Sequence, residues 1–494
     1  MKKFHIGLDF GTYQTKACIY DFENKTNEFF KFTSSKKYFL PSTISETIKG
    51  TFKYGESINQ SSTKRHFHYF KIAAADDPEF RAVTSNSSYD IEQLPYDIDQ
   101  FKPYTPEFLS SVFLAYTILI IKEAYTDKVK VIRNTPKKGF LAKLAQRNTA
   151  IEKEEEVKFT IQLGIPTEWS RINNLRRKRK FENILLIAEL LTERFKTSKN
   201  FTKTNVADLI SEVQLIYQKS IFSSIKSFEQ ELNERGLSVY PETAAGLSFI
   251  TKSKQIKPGY YAIMDIGGGS TDISFFHYEK KNEIKYLASE SYEMAANNVY
   301  SHLSKKSKDL IDVKSIELEV HKRIKQKAQN NDELFYAIKK VKIALEKLIQ
   351  KLFAKRVYWF DKRSMRNNYK NQLLIVYGGG INLNGIIHNP LELYNNGNLT
   401  SLNIDTTNME VVSIDRYQPK SNVLPIDLSW QKDFQMLVVA LGLSYIHHGK
   451  EANWIDKNDY HASDGDLLDR PVAIAHPFNE DCYVYNVIKS EFHS

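Results

Sequence analysis

The segment Asp265-Ile266-Gly267-Gly268-Gly269-Ser270-Thr271-Asp272 constrains the fold most, because it stands between two apolar runs, Tyr260–Met264 and Ile273–Phe276. Two short apolar runs joined by a glycine-rich turn read as a β-hairpin. Three successive glycines keep side chains off the turn, so its backbone N–H groups can approach an anion closely. A carboxylate at each end suits a hydrated divalent cation beside the anion rather than the anion itself. The pattern recurs near the start: Phe4-His5-Ile6-Gly7-Leu8 leads into Asp9-Phe10-Gly11-Thr12, and Lys16-Ala17-Cys18-Ile19-Tyr20 follows. A lone glycine turn is adequately read as a plain hairpin. Two, with an Asp at the same place in each, imply two related lobes facing one ligand. A third element is the apolar run Leu373–Tyr377 followed by Gly378-Gly379-Gly380, where a flat ring can lie against bare backbone.

With these motifs in this order, the chain resembles the actin, sugar-kinase and heat-shock-70 ATPase superfamily. Several segments resemble the DnaK-type chaperone branch: Tyr240–Leu247 with its Pro and Glu exchanged in order, Gln162–Thr167, His66–Lys71, Thr105–Ser111 and Phe434–Leu443. The resemblance implies an α/β fold of two actin-like lobes, each a ribonuclease-H-like domain, with a nucleotide cleft between them. It divides the chain into a first lobe over 1–240, a second over 241–447 and a tail over 448–494. No peptide-binding domain is expected in that tail, a departure that argues against ordinary client binding.

The same resemblance implies roles for individual residues. Gly11, Thr12 and Tyr13 would cradle the phosphates of ATP from one side, and Gly267, Gly268, Gly269 and Ser270 from the other. Gly378, Gly379 and Gly380 would lie against the adenosine. Asp9 and Asp265 would hold Mg²⁺ through its waters, while Asp272 and Glu242 would order the attacking water. Lys71 matches the family's catalytic lysine, although its local sequence alone reads as a surface lysine after an aromatic run. Lys16, seven residues after Asp9, matches the phosphate-facing lysine of actin and several sugar kinases; strand alternation equally allows it to face solvent. Lys342 matches an adenosine-contacting position on a helix whose apolar set is Leu334, Ile338, Val341, Leu345, Leu348 and Leu352, but Ile343 stands where an arginine is expected.

The rest of the chain sets the frame. The net charge of +10 follows from a lysine-rich composition, and nucleic acid is not expected as a partner. The sharpest basic cluster, Arg171 and Arg176 to Lys180, reads as a solvated helix face, with a docking patch as the alternative. Cys18 and Cys482 fit reduced thiols, and no secretory core follows Met1, so a cytoplasmic protein without a membrane partner is expected. Further strands are expected over residues 22–60. A buried helix is expected over Pro106–Tyr125; its most apolar part, Phe108–Ile121, is too short and too interrupted to span a bilayer. The charged residues 126–156 read as a hairpin or mobile loop, Val157–Ile165 as a strand, residues 181–235 as helical, and Glu242–Phe249 as a connecting helix. Residues 388–431 lack periodicity. The expected function is a Mg-dependent ATPase switch acting through a protein partner. A filament-forming or cell-division ATPase is the alternative, and a small-molecule kinase fits less well.

Overall fold

The computed structural model describes residues 1–32, 38–55, 62–75, 98–134, 156–170, 175–219, 221–222, 224–252, 258–278, 284–292, 295–296, 373–379, 410–413, 433–445, 453–454 and 472–473. Strand β1 (Lys2–Phe10) buries Phe4, Ile6, Leu8 and Phe10 on one face and His5 and Asp9 on the other. Burial on both faces places it inside a sheet rather than at its edge. It forms an antiparallel hairpin with β2 (Gln14–Asp21), which continues to β3 (Thr26–Phe29). The short β4 (Leu40–Pro41) also pairs with β2. Strands β5 (Ile44–Thr47), β6 (Phe52–Tyr54) and β7 (Thr63–Phe67) make a separate small sheet. On the other side of β1 lie two parallel strands, β8 (Val157–Ile165) and β10 (Leu237–Pro241). Between these, β9 (Ile221–Phe222) lies outside the sheet.

The second sheet repeats this plan. The hairpin β11 (Gly259–Ile266) and β12 (Thr271–Tyr278) continues antiparallel to β13 (Ile284–Tyr292). Parallel strands β14 (Leu373–Tyr377) and β15 (Glu410–Ser413) flank β11. The two orders, β10-β8-β1-β2-β3 and β15-β14-β11-β12-β13, are the same path through five strands. The duplication expected from the two Asp–Gly turns is therefore present in the topology. Two short strands come from the tail: β16 (Asn453–Trp454) extends the second sheet beside β13, and β17 (Val472–Ala473) pairs with β9.

Parallel strands need long crossovers, and helices fill them. Helices α1 (Phe70–Ala75) and α2 (Pro106–Asn134) come before β8; α3 (Leu175–Phe195), α4 (Ser198–Lys203), α5 (Val206–Lys219) and α6 (Ile225–Arg235) lie between β8 and β10. Phe113 of α2 stacks on Phe10 of β1 at 5.7 Å and meets Phe70 of α1 at 5.5 Å. Each such buried ring contributes on the order of 1.5–3 kcal/mol. Helices α7 (Glu242–Lys252) and α8 (Phe434–Ser444) share one core with residues of both sheets, including Cys18, Phe29, Tyr261, Ile263, Ile375 and Tyr377. Contact there is close enough to demand glycine. A Cβ on Gly442 would lie 1.9 Å from the Ala245 carbonyl oxygen, and one on Gly7 would lie 2.3 Å from the Ser444 nitrogen.

Three expectations change. The buried helix does not stop at Tyr125 but runs to Asn134, so residues 126–134 are helix and not hairpin or loop. Lys128, Lys130 and Arg133 are good helix formers, and a rise in charge alone does not end a helix. The stretch Pro106–Val129 is in fact long and apolar enough to cross a membrane by length and composition, but 72% of its most apolar window is buried inside the protein. The basic cluster from Arg176 to Lys180 lies on α3 and is not a solvated face: Arg177 sits under Trp169, Arg179 pairs with Glu182 and Glu229, and Lys180 with Glu107. Those partners leave it equally little like a docking patch. Residues 181–235 are helical apart from short breaks, as expected. Lys342, Gly380, Cys482, Arg171, residues 135–155 and the helix expected around 334–352 lie outside the described residues.

Candidate functional site

The two hairpins place their carboxylates by register. Asp9 ends β1 opposite Lys16, and Asp265 ends β11 opposite Asp272. Lys16 Nζ donates to Asp9 Oδ2 at 3.0 Å, and its side chain keeps only 14% of its surface exposed, so the solvent-facing alternative fails. Lys71 lies in α1 and is buried. Its Nζ donates to Glu242 Oε1 at 2.9 Å and stands 5.8 Å from the centre of the Phe10 ring. The surface reading of Lys71 fails as well. Glu242 is the first residue of α7, where a carboxylate favours the N-terminal dipole.

Asp9, Glu242 and Asp272 are buried and Asp265 is half-buried. These four carboxylates face two ammonium groups, and their charges act on one another. Asp272 is pushed up to about 8, first by burial and then by Glu242, although hydroxyls of Ser291 and Ser270 oppose the shift. Asp265 is raised well above the ordinary range by burial, then by Glu242, Asp272 and Asp9. Glu242 is raised by burial, against the pull of Lys71. Burial alone would lower Lys71, but Glu242, Asp9 and Asp272 outweigh it and hold the ammonium above its usual value. Asp9 and Asp265, from different sheets, are thus within reach of each other's charge.

The turns themselves touch. A Cβ on Gly268 would lie 2.3 Å from the Tyr13 ring, and one on Gly269 would lie 2.1 Å from Ile72 and 2.8 Å from the Thr12 hydroxyl oxygen. Gly267 N donates to Ser270 O at 2.9 Å and closes the second turn. Gly378 has φ +103, and a Cβ there would lie 2.4 Å from Asp265 Oδ1. The third glycine element therefore does come to the same place, through Gly378. Gly379 is exposed and has ordinary room beside Met436.

Some residues here have no role assigned from the sequence, although Tyr69, Thr167 and Thr243 lie inside segments that carry the resemblance. Tyr69 holds φ +64, a conformation in which L-residues are uncommon, at the entry to α1. Its hydroxyl lies 3.3 Å from that of Tyr13, and the two rings meet edge to face at 5.9 Å. Ile72 covers Gly269. Thr243, Thr167, Ser274 and Ser289 form a buried hydroxyl chain next to the carboxylates. Only the exchange of Pro241 and Glu242 marked that neighbourhood as unusual.

The donor set is oxygen only and carries excess negative charge, which suits a hard divalent cation. Asp272 Oδ1 is buried with no hydrogen-bond partner among the described residues. Among those residues, no three of His, Cys, Asp or Glu are placed to hold a metal directly.

No protein-family model and no curated protein matches the chain. Among solved structures it is similar to "pCBH ParM non-polymerisable quadruple mutant", with 15% identity and a TM-score of 0.38 over 90% of this chain and 98% of that one. It is also similar to the "PilM-PilN type IV pilus biogenesis complex", with 16% identity and a TM-score of 0.30 over 44% of this chain and 56% of that one. At these scores the likeness adds nothing to the fold argument, which rests on the repeated sheet order.

Proposed function

We propose that the chain is a Mg-dependent ATPase of the actin-like kind, with the triphosphate between the turns Gly11–Tyr13 and Gly267–Ser270. The observation that carries this reading is the convergence of Asp9, Lys16, Asp265 and Asp272, from two copies of one sheet, with Lys71 of α1 and Glu242 of α7. Bare turn amides of Gly267, Gly268 and Gly269 would take the phosphate oxygens, with Gly11 and the Thr12 hydroxyl opposite. Tyr13 and Ile72 occupy these faces in the closed arrangement and would separate from Gly268 and Gly269 to admit the phosphates. Lys16 would exchange part of its pairing with Asp9 for the phosphates.

Asp9 and Asp265 would hold Mg²⁺ through its waters, and the ion would neutralise charge on the phosphates as the bond to the leaving group breaks. Asp272, whose Oδ1 has no hydrogen-bond partner among the described residues, would orient the attacking water and, in its ionised form, accept its proton. Glu242, fixed by Lys71, would order the same water. Gly378, pressed against Asp265, would bring the adenosine side of the ligand close to the metal. The chaperone branch is not carried into the proposal: Lys71 and Glu242 lie in segments that resemble it, but none of the described residues used here addresses a client.

Asp265→Asn is expected to abolish Mg-ATP hydrolysis while the circular dichroism spectrum stays native. Unchanged turnover would refute the site. Light scattering on adding ATP then separates a filament former, whose signal grows, from a monomeric switch, whose signal stays flat.

A further inference from the structure

Four hydroxyls cross from the first sheet's side of the molecule to the second. Thr167 begins the 3-10 turn that follows β8; Thr243 is the second residue of α7; Ser274 and Ser289 face each other on β12 and β13. Thr167 Oγ1 meets Thr243 Oγ1, which lies 2.9 Å from Ser274 Oγ, which in turn lies 2.9 Å from Ser289 Oγ. The Thr243 amide donates to Thr167 Oγ1 at 3.1 Å. All four residues have 0% exposure.

Buried hydroxyls are costly unless partnered, and each has one proton to give. A chain of them therefore aligns its donations in sequence and strengthens cooperatively. Apolar side chains of the same volume would fill this space as well but would allow the surfaces to slide. The chain's position is also specific. Thr243 directly follows Glu242, whose carbonyl accepts the Tyr377 hydroxyl at 3.3 Å. Ser274 lies two residues beyond Asp272 on the same face of β12, and Ser291, opposite Asp272, continues the face of Ser289. The chain thus links the two segments that carry Glu242 and Asp272, the carboxylates nearest the proposed water.

We propose that Thr243 is a positioning residue, and that the chain Thr167–Thr243–Ser274–Ser289 is a tie between the two halves that fixes Glu242 relative to Asp272. It sets the rate of turnover and not the affinity for nucleotide. The kinetic part rests on the ATPase reading; the tie itself does not.

The test uses Thr243→Val, which keeps the shape, Thr243→Ser, which keeps the hydroxyl, and Ser274→Ala, in the full chain. Thr243→Val is expected to lower kcat for Mg-ATP at least about tenfold, with the ATP Kd by calorimetry within about twofold, and Thr243→Ser to recover most of the loss. In the protein without nucleotide, the Tm loss of the Thr243→Val, Ser274→Ala double variant should not exceed that of the worse single variant, as for groups in one network. An unchanged kcat, an ATP Kd that weakens in step with kcat, or additive Tm losses would each overturn the tie. If Thr243→Val does not fold, Ser289→Ala at the far end is read in the same way. A wild-type chain that binds no ATP would instead sink the ATPase reading, and the Tm cycle would still decide the tie.

Discussion

Lys71 is the residue whose meaning changes most between sequence and structure. By sequence it follows an aromatic run; in the fold it is the buried counter-charge of Glu242, 171 residues away. Lys71→Met would leave that carboxylate buried and unpaired. The expected loss is about 3–5 kcal/mol in urea unfolding, because breaking a buried pair costs more than the pair is worth. Asp272 gives a second prediction, in pH. Its folded carboxyl sits at about 8 against an ordinary 3.8, so the folded state binds the proton more tightly. Its contribution is therefore complete at low pH and is lost as pH rises toward 8. His68 acts the other way: burial, then His66, lowers it from 6.5 to about 4, so its contribution is lost as pH falls below 6.5. Above pH 6.5 the carboxylate effect is separated from that of His68. Between pH 6.5 and 8 the wild-type Tm should fall more steeply than that of Asp272→Asn, by differential scanning fluorimetry; parallel curves would remove the shift.

At the scale of elements, what the sequence showed was local. The hairpins β1–β2 and β11–β12 were legible because alternation, turn glycines and an Asp before each turn lie within about ten residues of one another. Register then placed Lys16 on Asp9 with no further information. The helix crossing of α7 and α8 was not legible, since nothing near Gly442 names Ala245 as its neighbour. The crossing does make a prediction. Gly442→Ala would drive a methyl into a backbone carbonyl, and overpacking of that kind costs about 1–3 kcal/mol. Gly379→Ala, with ordinary room, should cost less than about 0.5 kcal/mol. Urea titrations of the two variants check both; equal midpoints would show that the helices can part without loss. The basic residues of α3 were misread for the same reason. Their partners Glu107 and Glu229 lie on other helices, so a charge run that looked solvated is an internal set of ties.

At the scale of the whole molecule, one path through five strands occurs twice, and α7 and α8 join the copies through a common core. This is why two turns far apart in sequence meet at Tyr13 and Gly268. The duplication was visible in the sequence as repeated Asp–Gly corners, and so was their facing one ligand; their direct contact was not, because it depends on how the two sheets pack. The account stands or falls on both corners engaging one ligand. Hydrogen–deuterium exchange with and without Mg-ATP measures this directly. The account predicts that the amides of Gly11–Tyr13 and of Gly267–Ser270 gain protection together at the same ATP concentration. Protection confined to one turn, or to neither, would contradict it.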